Sequence, residues 1–131
     1  MSDRRPTILV ACVQNAGRSQ AAAALLQRYT GDRFRVLMGG SKPADQVHPV
    51  VSAVLAERGL AVQGAPRAWT DHDVQEADVV VTMGCGDACP FYPGKRYEEW
   101  EVEDPSGQDI DRVRLIVDDI DAKVQGLLSS L

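Results

Sequence analysis

The chain contains no apolar run approaching the ~20 residues that cross a bilayer. Its opening, Met-Ser-Asp-Arg-Arg-Pro, leads into an apolar stretch too short for a secretory signal. The expectation is a cytoplasmic protein without a membrane partner. Positive charge is not in excess either: 14 Lys and Arg stand against 19 Asp and Glu, a net charge of −5. No basic run exceeds a pair, as at Lys95-Arg96, so the electrostatic footprint of a nucleic-acid partner is missing. Cysteine is scarce and odd in number, three in 131 residues. That argues against a disulfide framework and for thiols that react or ligate. Internal repeats and low-complexity segments are lacking. With 44% apolar and 25% charged residues the composition is that of an ordinary folded chain. A length of 131 residues suits one domain with one core.

What is present is an alternation of strand and helix signals. Thr7 to Cys12 is an apolar run that predicts a first strand. From about Gly17 to Tyr29, Ala22, Leu25, Leu26 and Tyr29 recur at helical spacing as a buried stripe, and Thr30-Gly31-Asp32 stops the helix. Phe34 to Met38 reads as a short second strand ended by Gly39-Gly40-Ser41. Val47, Val50, Val51, Val54 and Leu55 share a face and predict a helix from about His48 to Arg58, with Pro49 in its first turn and Gly59 as its cap. Leu60 to Thr70 has no clean period and is expected to be a loop or irregular strand, after which Thr70 or Asp71 caps a helical turn through Glu76. Val79-Val80-Val81, continuing to Met83, is β-branched without alternation, as a central strand covered on both faces should be. Gly84 to Arg96 collects glycines, prolines and cysteines and predicts a loop. Tyr97 to Val102 reads as a charged edge strand. Ile110, Val113, Val117, Ile120, Val124, Leu127 and Leu131 mark a final helix. Asp109 and Asp111 suit its first turn, and Asp118, Asp119 and Asp121 its solvated face. Such an order implies an α/β fold: a four-stranded parallel sheet with helices on both faces.

The chemistry concentrates in Cys12-Val13-Gln14-Asn15-Ala16-Gly17-Arg18-Ser19, where the first strand turns into the first helix. The N–H groups of such a turn converge with the positive end of the helix dipole behind them, an anion cup for a tetrahedral oxyanion. Val13 to Gly17 would bind the oxyanion through their backbone. Arg18 adds a planar fork that pairs two oxygens at once. The same field favours the thiolate of Cys12, and Ser19 can donate a hydroxyl hydrogen bond to that sulfur. Gly17 and Asn15 tolerate the left-handed backbone a tight turn demands. Two further features lie in segments after strands, which a parallel sheet brings to the same edge: the thiols of Cys85 and Cys89, and Asp104-Pro105.

Cys12-x5-Arg18-Ser19-Gln20, Val-Thr-Met-Gly-Cys85 with Cys89, and Trp100 followed by Glu103-Asp104-Pro105 occur in one order across nearly the whole chain. In these the sequence resembles the arsenate reductases built on the low-molecular-weight tyrosine phosphatase fold. The resemblance implies that residues 1–131 form a single catalytic domain. It implies that Cys12 attacks arsenate and that Asp104 protonates the leaving oxygen. Cys85 then attacks Cys12 to release arsenite, and Cys89 resolves the pair into a Cys85 to Cys89 disulfide that thioredoxin reduces. Relatives couple to thioredoxin or to mycothiol with mycoredoxin, and the three thiols favour thioredoxin. Cys85 and Cys89 stand closer together than the family usually spaces them, which leaves the order of attack in that loop open. Ala23 stands where a family member often has a Glu near a potassium site, which leaves that site open. No cofactor is expected and no metal ligand is assigned. A monomer is expected.

The residues support the relay independently, since it needs a low-pKa nucleophile, an attacker and a third thiol to carry the oxidation outward. Two other readings compete. A low-molecular-weight tyrosine phosphatase uses the same cup and acid, but needs no second or third thiol and usually follows its Asp-Pro with aromatics; here Ser106-Gly107 follow. A zinc- or arsenite-binding sensor could use Cys85 and Cys89 with His72 or Cys12, but it leaves the Arg18 loop unexplained. His48 and His72 are read as a helix-start residue and a surface residue.

Overall fold

The computed structural model describes residues 5–84 and 93–131. Along the chain come β1 (Thr7–Cys12), α1 (Arg18–Thr30), β2 (Arg35–Gly40), α2 (Pro49–Glu57), α3 (Asp71–Glu76), β3 (Val79–Met83), β4 (Arg96–Glu99) and α4 (Ile110–Ser129). The four strands form one sheet in the order β2-β1-β3-β4, and every pairing is parallel. β1 therefore lies inside the sheet. Cys12 at its end pairs with Gly40 of β2 and Met83 of β3.

Every residue of β1 is buried, which explains why its sequence is apolar without alternation. The pleat sends Ile8, Val10 and Cys12 to one face, against α1, α2 and α4. Leu9 goes to the other, where it meets Val80 with Val74 and Ala77 of the α3 region. Helices thus cover both faces, three on one and the short α3 on the other. Each fully buried Ile, Val or Leu of this core contributes about 1.5–3 kcal/mol. The alanines of α1 have a packing reason: Ala21, Ala22, Ala23 and Ala24 are each at most 2% exposed, and their small size lets α1 lie close to the sheet and to α4. No helix among the described residues is long and apolar enough to cross a membrane.

Several boundaries differ from the sequence expectation. β2 runs to Gly40 rather than ending at Met38, because pairing with β1 holds both glycines extended. Gly39 must be glycine there, since a Cβ would lie 2.5 Å from the backbone nitrogen of Trp69. Phe34 is half-buried against the core but outside the ladder. β4 covers Arg96–Glu99, starting one residue before and ending three residues before the strand expected over Tyr97 to Val102. Trp100 makes one last bond to Thr82 (2.9 Å) before the chain leaves the sheet. Tyr29 is 37% exposed rather than part of the buried stripe, and its hydroxyl donates to Asp121 at 2.6 Å. Ile110 and Leu131, at the two ends of the predicted stripe of α4, are also exposed. Helix starts follow their capping chemistry. Thr70 accepts from Asp73 N–H in a reciprocal capping box at α3, and Asp109 accepts from Arg112 N–H at α4.

Candidate active site

Parallel pairing delivers the segments that follow the strands to one edge of the sheet, and the Cys12 to Arg18 turn lies there. Its backbone is held by a second segment, residues 41–48, that runs beside it. Ser41 N–H donates to Cys12 C=O (3.1 Å), Lys42 to Val13 (2.8 Å), Ala44 to Gln14 (3.0 Å) and His48 to Ala16 (2.9 Å). The remaining carbonyl, that of Asn15, accepts from the buried amide of Gln20 at 3.0 Å. Every carbonyl from Cys12 to Ala16 is thus committed away from the turn. In a planar trans peptide the N–H opposes the C=O, so the amides are aimed inward. Gly40 permits this approach: a Cβ on it would lie 2.4 Å from Val13 O. Asn15 takes the left-handed backbone the turn needs (φ 52°).

Cys12 is buried at 2% exposure and is surrounded by donors. Asn15 N–H donates to its sulfur at 3.2 Å, and Ser19 Oγ lies 3.0 Å from it. Because Asn15 Nδ2 donates to Ser19 Oγ at 2.6 Å, the hydroxyl oxygen is engaged as an acceptor and its hydrogen is free to point at the sulfur. Asn15 Oδ1 in turn accepts from Arg67 N–H at 3.1 Å. α1 begins at Gly17 without a side-chain cap, unlike α3 and α4.

Above the sulfur opens a cavity of about 140 Å³ lined by Cys12, Arg18, His48 and Asp104, with Val13, Gln14, Ala16 and Gly17 between them. Arg18 is half-buried, and its guanidinium donates to Val102 C=O (3.3 Å). It lies so close to Gly84 (φ 81°) that a Cβ there would meet Nη1 at 2.7 Å. Asp104 is exposed; its Oδ1 accepts from Ser106 N–H at 2.9 Å. It is brought to the cup by its neighbour Pro105, which is buried against Gly17: a Cβ on Gly17 would lie 2.7 Å from the proline ring. Glu103, one residue earlier, is held by Arg112 of α4, which keeps its carboxyl below the usual glutamate value.

Of the residues singled out in the sequence, Cys12, Val13, Gln14, Ala16, Gly17, Arg18 and Asp104 share this cavity. Asn15 and Ser19 lie beneath it, fully buried, and touch the sulfur rather than the cavity. Cys85 and Cys89 lie outside the described residues. His72 is exposed on α3 and faces Glu76 at 3.0 Å. His48 departs from its reading as a mere helix-start residue. It does occupy the N-cap of α2, but makes no side-chain capping bond, and its ring lines the cavity instead. The signal was available: Pro49 marks a helix start just after β2, at the edge where Cys12 emerges.

A cavity of this kind can hold a small tetrahedral anion between inward amides and a guanidinium, with a nucleophilic sulfur below and a carboxyl at the rim. The family model described as low molecular weight phosphotyrosine protein phosphatase matches residues 7–131. A putative arsenate reductase of Halobacterium salinarum is 37% identical over 122 residues, covering 88% of this chain and 86% of that protein. Arsenate reductase 1 of Bacillus cereus is 31% identical over 128 residues, covering 94% of each. Among solved structures, a thioredoxin-dependent arsenate reductase of Corynebacterium glutamicum superimposes with a TM-score of 0.88 at 42% identity. It matches 99% of this chain, which spans 63% of that longer protein.

Proposed function

The chain belongs to the low molecular weight phosphotyrosine protein phosphatase family, and from that premise we propose that it is an arsenate reductase working through a thiol relay. Arsenate enters the cavity with its oxygens on the inward amides and the Arg18 fork. The Cys12 thiolate attacks arsenic while Asp104 gives its proton to a departing oxygen, which leaves as water. An S–As bond has replaced an As–O bond, and arsenic is still As(V). Cys85 then attacks the Cys12 sulfur. The electron pair of the S–As bond passes to arsenic, arsenite leaves as As(III), and a Cys12 to Cys85 disulfide holds the oxidation. Cys89 attacks Cys85, freeing Cys12 and leaving a Cys85 to Cys89 disulfide. A dithiol reductant of the thioredoxin type supplies the two electrons that reopen it. The proposed enzyme is a monomer.

The observation that carries this reading is the single cavity in which Cys12, Arg18 and Asp104 meet, in a chain that retains two more thiols for the relay. A phosphatase would use the same three residues on a phosphate ester and leave Cys85 and Cys89 without a role. The Ser106-Gly107 that follows Asp104-Pro105 also supplies no aromatic wall for a phenyl ring.

Reduced protein incubated with arsenate tests the proposal. The expected result is about one arsenite per chain without reductant, a Cys85 to Cys89 disulfide by peptide mass mapping, and repeated turnover on adding thioredoxin with its reductase. Turnover with mycothiol and mycoredoxin instead would change the reductant, not the chemistry. Rapid hydrolysis of p-nitrophenyl phosphate, with no arsenite and all three thiols free, would favour the phosphatase.

A further inference from the structure

Asn15 can hold Ser19 in two ways. With its Oδ1 turned away, Nδ2 donates to Ser19 Oγ and the hydroxyl hydrogen is left for the Cys12 sulfur. With the amide flipped, Oδ1 would take the Ser19 hydrogen and the sulfur would lose a donor. What selects the first is the N–H of Arg67, 3.1 Å from Asn15 Oδ1. Residue 67 lies in the irregular segment before α3, whose backbone meets β2 at an isolated bridge between Gly40 and Ala68. The Arg67 side chain adds two further anchors. Nη1 donates to Met38 C=O in β2 (2.9 Å), and Nη2 pairs with Asp73 Oδ2 (3.1 Å), a carboxylate that is itself buried as part of the α3 cap. Gly40 N–H donates to Arg67 C=O at 2.8 Å. A ladder therefore runs from Asp73 through Arg67, Asn15 and Ser19 to the sulfur, with hydrogen-bond distances at every step.

We infer that Arg67 is a positioning residue for the Cys12 thiolate: its guanidinium, anchored on β2 and α3, keeps its backbone N–H against Asn15 and so directs the Ser19 hydroxyl hydrogen onto the sulfur. Arg67 lines no part of the cavity and acts only through Asn15 and Ser19. The inference rests on Cys12 being the nucleophile of the proposed reaction.

A double-mutant cycle on the full chain tests it, reading the rate of Cys12 alkylation by iodoacetamide from pH 6 to 9, resolved from Cys85 and Cys89 by peptide mass spectrometry. Ser19→Ala removes the donor and should slow alkylation at pH 7 by about tenfold or more, the worth of a hydrogen bond to a charged group. Arg67→Met should slow it by about three- to tenfold, move the pH profile upward, and lower kcat with little change in the KM for arsenate. Arg67→Lys, which can still reach one anchor at a time, should fall between. The decisive outcome is the double variant. If Arg67 acts through Ser19, Arg67→Met adds nothing further in the Ser19→Ala background. Losses that multiply, or an Arg67→Met protein with the wild-type profile, would overturn the inference while leaving the relay intact. A wild-type Cys12 no more reactive than a thiol in the urea-unfolded chain would overturn the relay itself, and this inference with it. Should Arg67→Met not fold, Asp73→Asn keeps an acceptor for the α3 cap and removes the ion pair. It should give a smaller upward shift that also vanishes in the Ser19→Ala background, and an unchanged profile overturns the inference equally.

Discussion

The two sides of the cavity are built in opposite ways. On the nucleophile side, all five carbonyls from Cys12 to Ala16 have partners, Asn15 and Ser19 are fully buried, and Gly40 lets a neighbouring segment press against the turn. On the acid side, Asp104 is exposed on a segment outside any helix or strand, tied by a local bond to Ser106, by Pro105 against Gly17, and by Glu103 to α4. Under the proposed reaction the difference follows from the tasks. A thiolate and an amide cradle work only if their geometry is fixed before the guest arrives, because reorganising them during the reaction would cost what they contribute. An acid must pick up a proton from water after each turnover, which exposure allows.

That contrast can be broken from either side. Cys12→Ser should have the largest effect, abolishing arsenite release, with the fold unchanged by circular dichroism; normal turnover in this variant would remove the mechanism. Next, Asp104→Asn should lower the rate of arsenite formation by about 10²–10³-fold, as expected for loss of a general acid. Cys12 alkylation should stay at the wild-type rate, and a parallel fall in alkylation would mean that the two sides are not separate. Gly17→Ala attacks the contact that joins them. Its Cβ would meet Pro105 at 2.7 Å and the His48 ring at 3.1 Å. The expected outcome is a loss of about 1–3 kcal/mol of stability by urea denaturation and roughly a tenfold fall in kcat through the displaced acid. The smallest effect belongs to Glu103→Gln. Arg112 holds the carboxyl of Glu103 below its ordinary value of 4.5 in the folded protein. The pair therefore stabilises the fold above that ordinary value, and its contribution is lost as the pH falls through the lowered one. The Tm of Glu103→Gln should lie slightly below wild type at pH 7 and converge with it in acid; a gap that widens on acidification would reverse the sign of the pairing.

The sequence made much of the nucleophile side legible and less of what holds it. β1, α1, β3 and α4 are announced by burial patterns within single segments, and the Cys12 to Ser19 turn by its place between two of them. Local pattern does not encode partners in distant segments. That β2 extends through Gly39-Gly40 depends on pairing with β1 and on the backbone of Trp69 across the gap. That residues 41–48 clamp the Cys12 turn is a set of backbone bonds, which any side chains could make. The importance of His48 and Arg67 comes from where the chain brings them, one to the cavity and the other to Asn15. Tyr29 fits the helical stripe in spacing, but its hydroxyl finds Asp121 at the surface. Cys85 and Cys89, the thiols that distinguish a reductase from a phosphatase, were legible from sequence and lie outside the described residues.

The proposition beneath all of this is that an ionised Cys12 and a bound oxyanion share one cradle. Site-resolved alkylation of Cys12 at pH 7, with and without inorganic phosphate, measures both halves at once. Alkylation much faster than for the same cysteine in the urea-unfolded chain, and suppressed by phosphate at saturating concentration, is the predicted result. A rate equal to that of the unfolded chain and indifferent to phosphate would contradict it.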